Sequence, residues 1–123
     1  MPTSIRTSTT ISAAHFLPGY DGPCGNPHGH NWKITVTVTG KVHPTTGMVV
    51  DFGDLKAAIG LATRQLDHAE LNKYLDNPTA ENIAEYIAVQ LDLWLDDREM
   101  DVEVTEIIVE ETEGNEVIWR PSE

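Results

Sequence analysis

Cysteine, basic side chains and long apolar runs are all scarce in this sequence of 123 residues. The single cysteine, Cys24, excludes a disulfide within the chain and is typical of a reducing compartment. Only 8 basic residues stand against 20 acidic ones, and the resulting net charge of −12 argues against a general nucleic-acid-binding protein. The uninterrupted apolar runs are only a few residues long, so we expect no segment that spans a membrane.

The start of the chain, MPTSIRTSTT, lacks the apolar stretch of a signal peptide. From length and composition we expect one domain over residues 1–123 in the cytoplasm, without nucleic-acid or membrane partners. The negative charge does not exclude a phosphorylated small molecule as the ligand, because a metal ion and a few local bases can dominate the field of one cleft.

Alternation of apolar and polar residues is clearest between His28 and Gly40. It predicts a strand with one apolar and one polar face. An earlier stretch rich in β-branched residues, Ser4 to Ala14, predicts another strand. Between the two, Phe16 to Pro27 is rich in glycine and proline and predicts a loop.

Two helices and two further strands follow. Apolar residues at helical spacing predict a helix over Gly53–Leu66, and Asn77–Asn82 has the proline and capping residues of a second helix start. Val102–Thr112 and Val117–Trp119 are predicted strands. The order β-β-α-α-β-β predicts an α+β domain in which two helices cover one face of a four-stranded antiparallel sheet. The open edges of so small a sheet predict a homo-oligomer.

Three histidines carry the clearest chemical signal. His28 and His30 lie two residues apart in a predicted strand, so their side chains project from the same face. His15 continues the apolar parity of the first strand, which places all three at the rim of the core. Three imidazoles with no obvious fourth ligand are typical of a catalytic zinc site, which keeps one position open. We therefore predict that these three residues bind zinc.

The position of Cys24, four residues before His28, leaves three interpretations open. The thiol can be buried and inert, which is the usual state of a lone cysteine. It can complete a closed, structural zinc site as the fourth ligand. It can also stand beside the metal as a thiolate that acts as a base or nucleophile.

Two pairs of neighbouring polar residues give weaker signals. Asp67 and His68 suit an acid/base pair in which the carboxylate orients the imidazole, although such neighbours are common at helix ends. Glu110 and Glu111 are adjacent in an acidic strand, for which a solvated strand face is the simpler interpretation.

The sequence as a whole resembles a known family. CGNPHGHN, GMVVDFGDLK, LDHAELN, NPTAEN and a late EET occur in the order found in the 6-pyruvoyl-tetrahydropterin synthase and 6-carboxy-tetrahydropterin synthase family. The resemblance covers His15 to Thr112, and the Cys-x-x-x-His-Gly-His element is its most specific part. The motifs LDHAELN and NPTAEN, together with the short chain, are most similar to the bacterial queuosine-pathway branch.

This resemblance implies the tunnelling fold, in which subunits form trimers around a barrel and trimers pair into hexamers. It implies that the three histidines bind zinc and that Cys24 is the catalytic base rather than a ligand. Asp67 and His68 would form the partner acid/base relay.

The resemblance also implies a pterin site. Glu111, rather than Glu110, would anchor the pterin, and Thr79, Ala80 and Glu81 would lie near it through backbone groups. The implied reaction converts 7,8-dihydroneopterin triphosphate to 6-carboxy-5,6,7,8-tetrahydropterin and releases triphosphate and acetaldehyde. Two alternatives are a 6-pyruvoyl-tetrahydropterin synthase and a non-catalytic, zinc-stabilised module in which the cysteine is a fourth ligand.

Overall fold

A computed structural model describes residues 2–122 of the chain. Within that range five strands and two α-helices form, and the expected α+β class is confirmed. No helix in residues 2–122 is both long and apolar enough to cross a membrane. The strands are β1 (Thr3–His15), β2 (His28–Gly40), β3 (Ala69–Glu70), β4 (Val102–Thr112) and β5 (Asn115–Trp119), and the helices are α1 (Phe52–Thr63) and α2 (Ala80–Asp97).

The sheet is built around the long antiparallel pair β1–β2, in the strand order β3-β1-β2-β4-β5. The pair is in register from Thr3 opposite Gly40 to His15 opposite His28. β4 lies along the other side of β2, and β5 returns antiparallel beside β4. This register brings the histidine-bearing ends of the two longest strands together at one end of the sheet.

One face of the sheet is apolar and lies against the helices. Trp32 and Ile34 of β2 and Ile83 of α2 are all fully buried. Burial of side chains of this size contributes about 1.5–3 kcal/mol each. Because His28 and His30 share the strand parity of Trp32, they continue this covered face beyond the apolar core.

Both helices begin at a side-chain cap. Asp51 accepts a hydrogen bond from the backbone N–H of Gly53 at the start of α1. Thr79 accepts one from the backbone N–H of Asn82 at the start of α2. The second cap matters for the site, because it fixes the first residues of α2.

Helix α1 ends three residues earlier than the apolar spacing predicts, at Thr63 instead of Leu66. The backbone N–H groups of Leu66 and Asp67 both donate to Thr63 O, which tightens the chain into a turn. Leu66 is nevertheless fully buried, which explains why its position fits the helical pattern.

The sheet has one strand more than the sequence predicts. Ala69 and Glu70 form a two-residue strand that runs parallel to β1, opposite Ala13 and Ala14. A strand this short has no alternation that sequence reasoning can detect. It forms where the chain, after leaving α1, meets the open edge of β1.

Candidate active site

The three predicted metal ligands meet at one end of the sheet. His15, the last residue of β1, lies directly opposite His28, the first residue of β2. His30 follows two residues later on the same face of β2, opposite Ala13. Their three ligand nitrogens lie within 4.8 Å of one another, so the group can hold a single metal ion.

Backbone carbonyls fix the orientation of two of these rings. His15 Nδ1 lies 2.7 Å from Pro78 O, and His28 Nδ1 lies 2.7 Å from Asn26 O. Because a carbonyl oxygen only accepts, each Nδ1 carries a proton, and in the neutral ring this tautomer leaves the lone pair on Nε2. Metal-ligating histidines are typically oriented in this way.

Two buried nitrogens of the group have no hydrogen-bond partner among residues 2–122, namely Nε2 of His15 and Nε2 of His30. An unpaired buried polar atom costs about 1–3 kcal/mol. A metal ion between the rings would satisfy both atoms, and an all-imidazole donor set suits zinc. The residues present therefore fit the predicted zinc ion.

The carboxylate of Glu111 lies beside the histidines. Its Oε1 is 3.6 Å from His30 Nε2, and its Oε2 is 3.8 Å from His15 Nε2. Burial lowers the pKa of His30; Glu111 opposes that change, and the neighbouring His28 and His15 add to it. The neutral form of His30, which is the form that binds a metal, is therefore favoured near neutral pH.

A cavity of about 510 Å³ opens next to Glu111. Thr79, Ala80 and Glu81, at the start of α2, form one of its walls. The structure thus brings together around one space the four residues that the resemblance assigns to a pterin. The lining is completed by residues that the sequence reasoning missed, which are Leu17, Gly114, Asn115, Glu116 and Val117.

Most of the missed residues belong to the β4–β5 turn and the first part of β5. The packing of β5 beside α2 brings the turn to the cavity. Asn115 Nδ2 donates to Thr112 Oγ1 at 2.9 Å, which holds the turn against the end of β4. In the sequence, the indication that this turn lines the cavity is limited to its position directly after the EET element.

Glu110 and Glu111 occupy different surroundings, as expected for neighbours in a strand. Glu110 lies opposite Lys33 in β2 and Glu116 in β5. Glu111 is the one that reaches His15 and lines the cavity.

Cys24 lies in a short 3₁₀ helix, Pro23–Gly25, and is half-buried. Its carbonyl accepts a hydrogen bond from Leu17 N at 2.8 Å, which closes the loop between them. Gly25 must be glycine, because a Cβ there would overlap Tyr20 O. Within residues 2–122, Cys24 is not among the clustered ligand atoms.

Asp67 and His68 form a separate pair at the edge of β1. His68 Nδ1 lies 2.9 Å from Asp67 Oδ1, which also accepts a hydrogen bond from Ser12 N at 3.0 Å. His68 adopts a positive φ of 57°, and its side chain is 81% exposed. His68 and His30 line one open cavity of about 550 Å³, but the structure does not bring His68 into the metal-ligand group.

The sequence profile of 6-pyruvoyl tetrahydropterin synthase matches residues 4–122. The chain belongs to the 6-pyruvoyl tetrahydropterin synthase family. The resemblance found from the motifs and the expectation of a tunnelling fold are thereby confirmed.

Among relatives in this family, a provisionally named 6-carboxy-5,6,7,8-tetrahydropterin synthase of Archaeoglobus fulgidus is 47% identical over 79 residues, covering 64% of this chain and 67% of that protein. The 6-carboxy-5,6,7,8-tetrahydropterin synthase of Bacillus subtilis is 32% identical over 120 residues, covering 90% and 80%. In seven curated relatives, the matched segments span from 50% to 80% of each relative's length.

The fold is similar to the structure of Caenorhabditis elegans 6-pyruvoyl tetrahydropterin synthase. The two superpose with a TM-score of 0.86 at 29% identity, covering 99% of this chain and 97% of that one. The similarity extends over the whole described sheet and both helices, including the ends that carry the histidines.

Proposed function

We propose that this family member is a zinc-dependent lyase that converts 7,8-dihydroneopterin triphosphate to 6-carboxy-5,6,7,8-tetrahydropterin, with release of triphosphate and acetaldehyde, as in the queuosine pathway. The observation that carries the proposal is the position of Glu111, which lies 3.6 Å from His30 Nε2 and also lines the cavity beside α2. A ligand that Glu111 anchors in this cavity therefore lies beside the histidines. The names of the Archaeoglobus and Bacillus relatives support this product.

Glu111 is proposed to recognise the pterin ring. The 2-amino group and the neighbouring ring N–H of a pterin form an edge with two donors, and one carboxylate can accept from both. Glu81 and Glu116 line the same cavity, and no basic side chain is among its lining residues. Such a cavity suits a donor-rich ring better than phosphate groups, so we expect the triphosphate to extend out of it.

Zinc held by His15, His28 and His30 would polarise the side-chain hydroxyls of the substrate. Imidazole ligands add no negative charge of their own to the ion, and the carboxylate of Glu111 lies beside two of them. The carbonyls of Pro78 and Asn26 keep the imidazole tautomers that this role requires.

Cys24 is proposed as the base that takes a proton from the substrate side chain. Its closed loop presents the thiol from a fixed backbone, and its absence from the ligand cluster favours the base over the fourth ligand. Asp67 and His68 are proposed as the relay. Because this pair is exposed at a sheet edge, we propose that it completes the site of a neighbouring copy in a homo-oligomer, a trimer or a dimer of trimers.

The decisive experiment incubates the zinc-loaded protein with 7,8-dihydroneopterin triphosphate and identifies the products by mass spectrometry. We expect 6-carboxy-5,6,7,8-tetrahydropterin together with acetaldehyde. Formation of 6-pyruvoyl-tetrahydropterin without acetaldehyde would favour the activity named for the C. elegans protein. Full zinc occupancy without any pterin turnover would instead favour a non-catalytic module.

The proposed assembly has its own test. Light scattering should give a mass far above the 13.6 kDa of one chain, near that of six chains. A fully active monomer would contradict the proposal that sites are shared between copies.

A further inference from the structure

A side-chain amide takes the place of a strand partner at the end of β1. β3 pairs with β1 at Ala13 and Ala14 and then ends, because the chain turns into a 3₁₀ helix, Leu71–Lys73. Asn72 Oδ1 accepts a hydrogen bond from Phe16 N at 3.0 Å, and Asn72 Nδ2 donates one to Phe16 O at 2.9 Å. The amide thus satisfies both backbone groups of Phe16, as a continuing strand would.

Phe16 connects two parts of the candidate site along the chain. It directly follows His15, so fixing its backbone fixes the strand end that carries this ligand. It precedes Leu17, which lines the cavity beside Glu111 and whose backbone N–H donates a hydrogen bond to Cys24 O. A shift of Phe16 would therefore displace the metal ligand, the cysteine loop and the cavity wall together.

The element that carries Asn72 is itself firmly held. The neighbouring Leu71 is fully buried, and its carbonyl accepts hydrogen bonds from both Tyr74 N and Leu75 N. Asn72 therefore reaches Phe16 from an anchored backbone, and the two hydrogen bonds join positions 56 residues apart in sequence.

We infer that Asn72 is a positioning residue for the metal site, which sets the place of His15 and, through Leu17, the start of the loop that carries Cys24. This inference rests on the proposed zinc site. It adds to that site a residue that touches neither the metal nor the substrate.

The test uses cobalt(II), because the visible absorption of this ion reports the geometry of its ligands. Cobalt spectra and zinc affinities, the latter by competition with a chromophoric chelator, are measured for the unmodified chain, Asn72→Ala and Asn72→Asp. Thr63→Val is the matched control, since it removes a buried side-chain hydrogen bond within α1, 2.8 Å from Thr63 Oγ1 to Ile59 O. Melting temperatures are recorded for all four proteins.

Asn72→Ala should weaken zinc binding by roughly 10- to 100-fold and change the cobalt spectrum, the usual result of removing an outer support of a metal ligand. Asn72→Asp keeps the acceptor for Phe16 N but loses the donor for Phe16 O. Because its second carboxylate oxygen would face Phe16 O without a proton between them, it should also weaken zinc binding and change the spectrum, and it serves as the test if Asn72→Ala does not fold. Thr63→Val should lower the melting temperature while leaving affinity and spectrum unchanged.

Unchanged zinc affinity and cobalt spectrum in both Asn72 variants would overturn the inference, as would an equal loss in Thr63→Val. Absence of a cobalt band in the unmodified chain would instead overturn the proposed metal site, and the role of Asn72 with it. The two failures are therefore distinguishable in one set of spectra.

Discussion

The histidine end of β1 and β2 and the Asp67–His68 edge of β1 carry similar chemical groups in opposite surroundings. His15 is 1% exposed and held by Pro78 O, whereas the side chain of His68 is 81% exposed. The first region has its three candidate ligand atoms assembled within one chain. The second region has the paired Asp67 and His68, and neither of them belongs to the candidate metal-ligand group found among residues 2–122.

The difference indicates how the site is divided. A metal site needs buried, oriented donors, and the strand register of a single chain provides them. An acid/base pair can be presented at an edge, if another copy brings the reacting group to it.

The largest effect is expected from removing one of the proposed metal ligands. Zinc content should fall from about one ion per chain to almost none in His28→Ala, because two imidazoles cannot retain the ion against a competing chelator. Elemental analysis after dialysis measures this. His43→Ala is the control, since His43 accepts hydrogen bonds from its own turn and should leave zinc content unchanged. Full retention in His15→Ala, His28→Ala and His30→Ala alike would refute the assignment.

Removal of the proposed base should separate catalysis from metal binding. Cys24→Ala keeps all three imidazoles, so zinc content and melting temperature should be unchanged. Turnover should fall by about 10² or more, the usual scale for a general base. If zinc and thermal stability are lost together instead, Cys24 is a structural ligand. A fully active variant would exclude both roles.

Substitution of Glu111 and of Glu110 should show which of these two adjacent carboxylates anchors the pterin. Glu111→Ala should weaken substrate binding strongly, because two donors of the ring lose a charged acceptor at about 1.5–3 kcal/mol each. Glu110→Ala, on a residue opposite Lys33, should have a much smaller effect. KM and binding titrations with the substrate measure both variants. The reverse order of effects would mean that the facing of β4 in the assembly differs from this assignment.

Shared sites can be tested by mixing two inactive variants. Cys24→Ala and His68→Ala, combined in equal amounts and reassembled, should recover about a quarter of the wild-type activity, since random neighbours then complete that share of the sites. Each variant alone should stay inactive. If the mixture recovers nothing while hybrid oligomers form, the acid/base pair serves its own chain.

The smallest effect concerns proton binding by His30 in the metal-free protein. Burial lowers the pKa of His30 in the folded chain, while an unfolded chain keeps the ordinary value of 6.5. The unfolded state then binds more protons below that value, so the free energy of unfolding should fall as the pH drops from 6.5 and then level off below the folded pKa. Urea unfolding of chelator-treated protein at several pH values measures this. The pH dependence should differ from that of His30→Gln, and identical curves would contradict the prediction.

Much of the candidate site could be predicted because its signals are local. Residues two apart in a strand share a face, which places His28 beside His30 without any knowledge of the fold. The motif at the start of α2 likewise narrows the cap to Asn77 or Thr79, and the structure has Thr79. The two-residue strand at Ala69 and the cavity-lining role of Asn115 could not be predicted, because neither leaves a periodic pattern.

The sequence by itself determined the α+β class, which three histidines are the candidate metal ligands, and the family. Strand alternation, residue type and motif order are all properties of the chain. Tertiary structure decided that Glu111 lies beside both the histidines and the cavity, and that Asp67 and His68 lie outside the ligand cluster. The physical reason is that these relations depend on strand register and on the packing of α2 against the sheet. Such contacts join residues far apart in the chain, and no local pattern specifies them.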